Sequence, residues 1–172
     1  MILKAFKEKS NQKYINKTLS NRSVEVSSDK IKSVGVLLND SEYCDYEEIE
    51  AFINALGILS AKCNFYTFSK LNPESHNQWD AVYSPKDFGW NGKLKNVDLQ
   101  NFTDTKFDVL ICYFLAEENE LKQIAAMSKA NFKVGISNKD ERLYDLIIDV
   151  KPKDFEIFKT ELKKYLTILN KI

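Results

Sequence analysis

Phe107-Asp108-Val109-Leu110-Ile111-Cys112-Tyr113-Phe114 is the stretch whose reading decides the fold. Apart from Asp108 it is continuously apolar and rich in β-branched and aromatic residues. A strand with one face in water alternates polar and apolar residues. A strand covered on both faces does not, and that is how the middle of a parallel sheet reads. The run is too short for a buried helix and fits a strand. It therefore predicts the centre of an α/β sheet, with Cys112 as a small buried hydrophobe.

Working outward, residues 33–38 (Ser-Val-Gly-Val-Leu-Leu) predict a first buried strand, and Asn39-Asp40-Ser41 opens the loop at its carboxyl end. Asp45 followed by Glu48 has the spacing of a reciprocal helix cap. Ile49, Phe52, Ile53 and Leu56 then line one helical face, and Gly57 ends it. Residues 62–68 predict the next strand, so strand, helix and strand make one right-handed parallel unit. Residues 71–106 are irregular, with Ala81-Val82-Tyr83 as a short strand. Asn91-Gly92, between Phe88-Gly89-Trp90 and Lys93-Leu94-Lys95, predicts a tight hairpin. Phe88 and Trp90 are two apart, which in an extended arm puts both on one face, packed on the sheet.

After the central run, a helix from about Glu117 buries Leu121, Ile124, Ala125 and Ser128. Residues 132–137 and 144–150 read as two further strands, joined by a loop short for a parallel crossover. A last helix follows Pro152, with Asp154 as its cap and Phe155, Phe158, Leu162, Tyr165, Leu166 and Leu169 on its face. At the other end, residues 2–19 predict a helix with Ile2, Leu3, Phe6, Tyr14 and Leu19 as its apolar members. The expectation is one three-layer, Rossmann-like α/β domain over residues 1–172, with a mainly parallel sheet and flanking helices. Residues 1–20 dock either on that domain or on another chain.

Composition sets the bounds on function. Lys+Arg and Asp+Glu both number 25, so no net charge draws the chain to nucleic acid. The basic lean of the first 32 residues suits a solvated helix face. Lys4, Lys7, Glu8 and Lys9 stand where a signal peptide needs an apolar core, and no run reaches the roughly 20 apolar residues of a membrane span. Three cysteines without C-x-x-C spacing agree with a reducing cytoplasm. His76 is the sole histidine, which denies a metal site its usual ligand set. The chain lacks G-x-G-x-x-G, G-x-x-x-x-G-K-[ST] and G-x-S-x-G, so neither a bound cofactor nor a catalytic residue is expected. Asp87-Phe88-Gly89 has none of its kinase companions.

In open α/β sheets ligands sit beyond the carboxyl ends of the strands, where strand order reverses. The ligand-binding candidates are thus Asn39, Asp40, Ser41 and Tyr113, with Trp90 as an aromatic cover. Asp40 can serve as a base or hydroxyl ligand, or simply as a turn residue bonding its own backbone. Together these features point to a non-catalytic binding or interaction domain whose partner is a protein or a small molecule. The alternative is a small enzyme acting on a sugar-like or polar metabolite at Asn39 and Asp40.

Several segments carry a resemblance: Ser84-Pro85-Lys86-Asp87-Phe88-Gly89-Trp90, Asp104-Thr105-Lys106-Phe107-Asp108, Ser128-Lys129-Ala130-Asn131-Phe132-Lys133-Val134-Gly135 and Glu141-Arg142-Leu143-Tyr144-Asp145-Leu146. With the helical start Phe6-Lys7-Glu8-Lys9-Ser10, they resemble an uncharacterised bacterial domain-of-unknown-function family. That resemblance implies identity without an activity. A strand opening with Asp108, a helix, then Lys133-Val134-Gly135-Ile136 is similar, at the level of fold, to the amino-terminal domain of heptosyltransferase-type glycosyltransferases. That family places Gly-Asp after its first strand, where this chain has Asn39-Asp40, and it uses a second domain.

Overall fold

The computed structural model describes residues 2–23, 29–43, 45–70 and 81–172. Cys44, Pro73, His76 and Trp79 lie outside the described residues. The strands are β1 (Val34–Asn39), β2 (Cys63–Phe68), β3 (Val82–Tyr83), β4 (Val109–Tyr113), β5 (Phe132–Gly135) and β6 (Leu146–Ile147). They form one sheet in the order β3-β2-β1-β4-β5-β6, with every strand pair parallel. The chain winds outward from β1 through β2 to β3, then returns to lay β4 on the other side of β1. This is the doubly wound order, and its switch point lies between β1 and β4.

The central run behaves as a strand covered on both faces. Val109, Ile111 and Tyr113 pack with Val34, Val36 and Leu38 of β1 on one side. Leu110, Cys112 and Phe114 pack with Leu37 on the other. Against the first face lie α2 (Tyr46–Ala55), through Ile49, Phe52 and Ile53, and α5 (Phe155–Ile168), through Phe158, Leu162 and Leu166. Against the second lie α1 (Ile2–Ser20), α3 (Val97–Asp104) and α4 (Asn119–Met127). Three layers result. Asp108, the one polar residue of the run, accepts from Lys32 N, Ser33 N and Ser33 Oγ at 2.9, 2.9 and 3.0 Å. It pins the start of β4 to the lead-in of β1. Among the described residues no helix is long and apolar enough to cross a membrane.

Four details depart from the sequence reading. α1 is not docked by an apolar stripe: Ile2, Leu3 and Phe6 are exposed, and Asn11, Ile15 and Leu19 are the buried positions. Asn11 reaches the hairpin at residues 88–94, its Nδ2 donating to Gly89 O (3.1 Å) while its Oδ1 accepts from Gly92 N (3.1 Å). A buried amide at a helix interface has no hydrophobic period, so the pattern along α1 is blurred.

The hairpin itself forms as expected. Asn91 (φ 51°) and Gly92 (φ 76°) are both left-handed, the geometry of the tight primed turn. A Cβ on Gly92 would fall 2.3 Å from the Tyr14 ring. Phe88 and Trp90 nevertheless part company, Phe88 being 1% exposed and Trp90 50%. The ladder lasts only one bridge, Phe88 with Leu94, so the arm is not extended far enough to hold both side chains on one face.

α3 was not legible as a helix, although Asn96 Oδ1 caps it by accepting from Leu99 N at 3.0 Å. Finally, β6 does run parallel to β5 across the short connection. A single 3-10 turn (Glu141–Leu143) suffices, because the Tyr144 ring covers Gly135 so closely that a Cβ there would lie 2.6 Å away. Both strands are shorter than their apolar runs.

Truncating Leu110, which is 0% exposed, is expected to cost about 2–5 kcal/mol in denaturant unfolding. The hairpin gives an internal contrast. Phe88→Ala is expected to cost about 3–5 kcal/mol and Trp90→Ala less than about 0.5 kcal/mol. Equal losses at the two positions would mean that Trp90 is packed after all.

Candidate functional site at the carboxyl edge

The carboxyl edge divides into two halves, one on each face of the sheet. On the α2/α5 face the switch point is filled by the chain itself. Asn39 ends β1 and organises the turn: its carbonyl accepts from Glu42 N (3.0 Å) and Tyr43 N (3.1 Å). Its side-chain Oδ1 accepts from Ser41 Oγ (3.0 Å). Asp40 N donates to Phe68 O of β2 (3.1 Å). The turn that the sequence reading attached to Asp40 is therefore built on the neighbouring Asn39.

This turn sends Glu42 across the seam. Its Oε2 accepts from Leu115 N at 2.8 Å, and the Ala116 amide also bonds it. Backbone N–H groups just past a parallel strand are where such folds hold an anionic ligand group. Here a carboxylate of the same chain takes them. Burial raises the Glu42 pKa and nearby Glu118 adds to the rise, against the lowering by the two amides.

Tyr43 closes the remaining gap, its ring centroid 5.2 Å from both Tyr113 and Phe155. Its hydroxyl donates to Glu48, which lowers the Glu48 pKa. Asp45 caps α2 by accepting from Glu48 N (2.9 Å), but the Glu48 carboxylate serves Tyr43 and Lys159 instead of returning to the cap. Tyr113 is buried and donates to Pro152 O at 3.0 Å. Burial pushes its phenol well up.

The five sequence candidates are thus not one site. Asn39, Asp40 and Ser41 share the β1 turn, Tyr113 is core under Tyr43, and Trp90 stands at the hairpin tip beside α1.

On the opposite face the same edge is open among the described residues. A cleft of about 440 Å³ lies beyond the ends of β2, β3 and β4, lined by Lys4, Glu8, Lys70, Pro85, Glu118 and Glu120 among others. A smaller hollow of about 70 Å³ shares several of these walls and reaches Gln123. Glu118 stands at the N-cap of α4 without making a capping bond, and one of its oxygens pairs with Lys70. Among the described residues its other oxygen, Oε2, is buried without a partner, and so is Gln123 Oε1. Gln123 is 0% exposed, and its Nε2 donates to Gly92 O at 3.0 Å, which fixes the orientation of the amide. Buried acceptors without donors cost roughly 1–3 kcal/mol each, so one beside each of these two adjoining hollows is a feature to explain. Nothing in the local pattern of Glu117-Glu118-Asn119-Glu120 distinguished this cluster from an ordinary acidic helix start. Among the described residues no three His, Cys, Asp or Glu side chains gather as a metal site.

A family model matches residues 7–169, nearly the whole chain. The chain belongs to the family of unknown function DUF6913. No curated protein and no solved structure matches it. The family assignment brings no activity, so the chemistry rests on these two half-sites.

Glu42 gives a test of the closed half. Its folded pKa is raised, so between the unfolded and folded values the native state holds the extra proton. The stability it contributes is present below about pH 4.3 and lost as pH rises through the folded pKa. Gln at this position keeps an acceptor without the charge. The stability of Glu42→Gln relative to wild type is therefore expected to rise from about pH 4 to pH 7. Glu42→Ala, which strands the Leu115 amide, is expected to cost about 1–3 kcal/mol. A Gln advantage that does not change with pH would place the carboxylate in water, and one that shrinks would mean that its folded pKa is lowered.

Proposed function

We propose that the chain is a non-catalytic binding domain, working in the cytoplasm, that takes a small amine-bearing molecule in the cleft between α1, Pro85 and the amino end of α4. The observation that carries this reading is the pair of buried, unpartnered acceptors, Glu118 Oε2 and Gln123 Oε1. Both call for hydrogen-bond donors, and a primary ammonium supplies three. Among the described residues carboxylates outnumber amines around the larger cleft, which favours a cation over a neutral polyol. The place is the one where open α/β sheets carry their ligands, on three strand ends at once.

The alternative, an enzyme acting at Asn39 and Asp40, is less favoured by the geometry. Glu42 and Tyr43 fill the space that its substrate needs. The free thiols of Cys63 and Cys112 accord with a reducing compartment. Contact with another protein is a second form of the reading, favoured by the exposed Ile2, Leu3 and Phe6 of α1.

1,4-Diaminobutane is a suitable probe, titrated into the full chain and followed by amide NMR. The expected result is saturable binding that moves the Gln123 side-chain amide and the backbone of Glu118 and Glu120. Glu118→Gln should weaken it about tenfold, the scale of one charge-assisted bond, while Asp40→Asn leaves it unchanged. The diamine should be recovered intact. Absence of binding in the millimolar range, or equal binding by Glu118→Gln, would overturn the proposal. Turnover of the probe would transfer the case to the enzyme.

A further inference from the structure

A cavity of about 450 Å³ lies at the opposite, amino edge of the sheet, where α1 and α4 end. Arg22, Lys106, Lys129 and Lys133 all line it, with Asn21 and Ser128 between them, and none of the described residues lining it is acidic. Neighbouring carboxylates are engaged outside it. Asp145 accepts from Arg22 Nη2 (2.6 Å) and from the Lys133 backbone N–H (2.8 Å), and Asp104 pairs with Lys129 at 2.5 Å.

Lys133 is the unusual member. It belongs to β5, is 2% exposed, and its Nζ donates to Ala125 O at 2.7 Å near the end of α4. A longer bond runs to Ala126 O (3.5 Å), and since an ammonium has three donors, the two bonds leave one for the cavity that it lines. Burial pushes its pKa down to about 8, and the Arg22 charge adds to the fall against the opposing pull of Cys112 and Asp145. Two cations are thus held close together in a partly desolvated place, where Asp145 pairs with Arg22 but bonds Lys133 only at its backbone N–H. Such an arrangement is unfavourable until an anion joins it.

We propose that this cavity is an anion site for a phosphate group, inorganic or carried on a small monoester, held by Arg22, Lys106, Lys129 and the Lys133 amine. Four cationic side chains suit a dianion better than a single carboxylate. The guanidinium and the ammonium groups supply the donors that phosphate oxygens take. The negative carbonyl end of α4 does not oppose this, because Lys133 already meets it. The site shares no residue with the carboxyl-edge cleft and stands independently of the function proposed there.

The test is a phosphate titration of the full chain at constant ionic strength, with chloride as the control, following the Lys133 side chain by NMR. Phosphate is expected to raise the Lys133 titration midpoint above about 8 and to shift the amides of Asn21, Ser128 and Lys129 saturably. Lys106 is exposed, so Lys106→Ala keeps the fold and should weaken binding about tenfold. Tighter binding of glycerol phosphate than of inorganic phosphate assigns the monoester, and the reverse assigns the free ion. An unmoved Lys133 midpoint at tens of millimolar phosphate would overturn the proposal. So would Lys106→Ala and Lys129→Ala proteins that bind as wild type does.

Discussion

The structure depends on the pairing of β1 with β4. These strands meet in parallel from Val34 opposite Val109 to Leu38 opposite Tyr113, and both faces of the pair are covered by helices. Alternate residues of one short strand thereby anchor two separate hydrophobic layers. A pair of this kind joins segments about 75 residues apart in sequence, so its loop-closure entropy must be offset by burial and by bonds at its ends. Asp108 supplies those bonds at the amino end and Glu42 at the carboxyl end. Asp145 plays the part of Asp108 again further out, tying Lys133 of β5 to the approach to β6.

What the sequence disclosed, and what it hid, follows from the same physics. The buried strands and α2, α4 and α5 were legible because burial on one or two faces imposes a period. α1 was misjudged in its contacts, because Asn11 docks it through an amide and leaves Ile2, Leu3 and Phe6 outside. α3 has no legible signature: eight residues carry too few turns for a period to emerge, and its Asn96 cap looks like loop chemistry. The parallel β5–β6 step defied the usual crossover length because Tyr144 lies flat on a residue without a Cβ.

The candidate site was legible only as a location. Strand-end topology pointed to the carboxyl edge of the sheet, and what stands after β1 in place of a glycine-rich loop is Glu42 and Tyr43. Glu42 bonds the amides that a phosphate would otherwise meet, and Tyr43 packs on Tyr113. Which half of the edge stays open depends on side chains from distant segments, Lys4, Lys70, Pro85 and Glu118, and no spacing rule links those positions. The outcome is a doubly wound domain whose habitual crevice is occupied internally, with its polar clefts displaced to the α1/α4 face.

The central claim is that the seam between β1 and β4 is closed by Glu42. Amide hydrogen exchange at Leu115 measures this most directly. In wild type that amide should be protected close to the level of Leu110 and Ile111 within β4, and in Glu42→Ala it should lose protection while the β4 amides keep theirs. Fast exchange of Leu115 in the wild-type chain, beside a fully protected β4, would contradict the account and return the crevice to solvent and ligand.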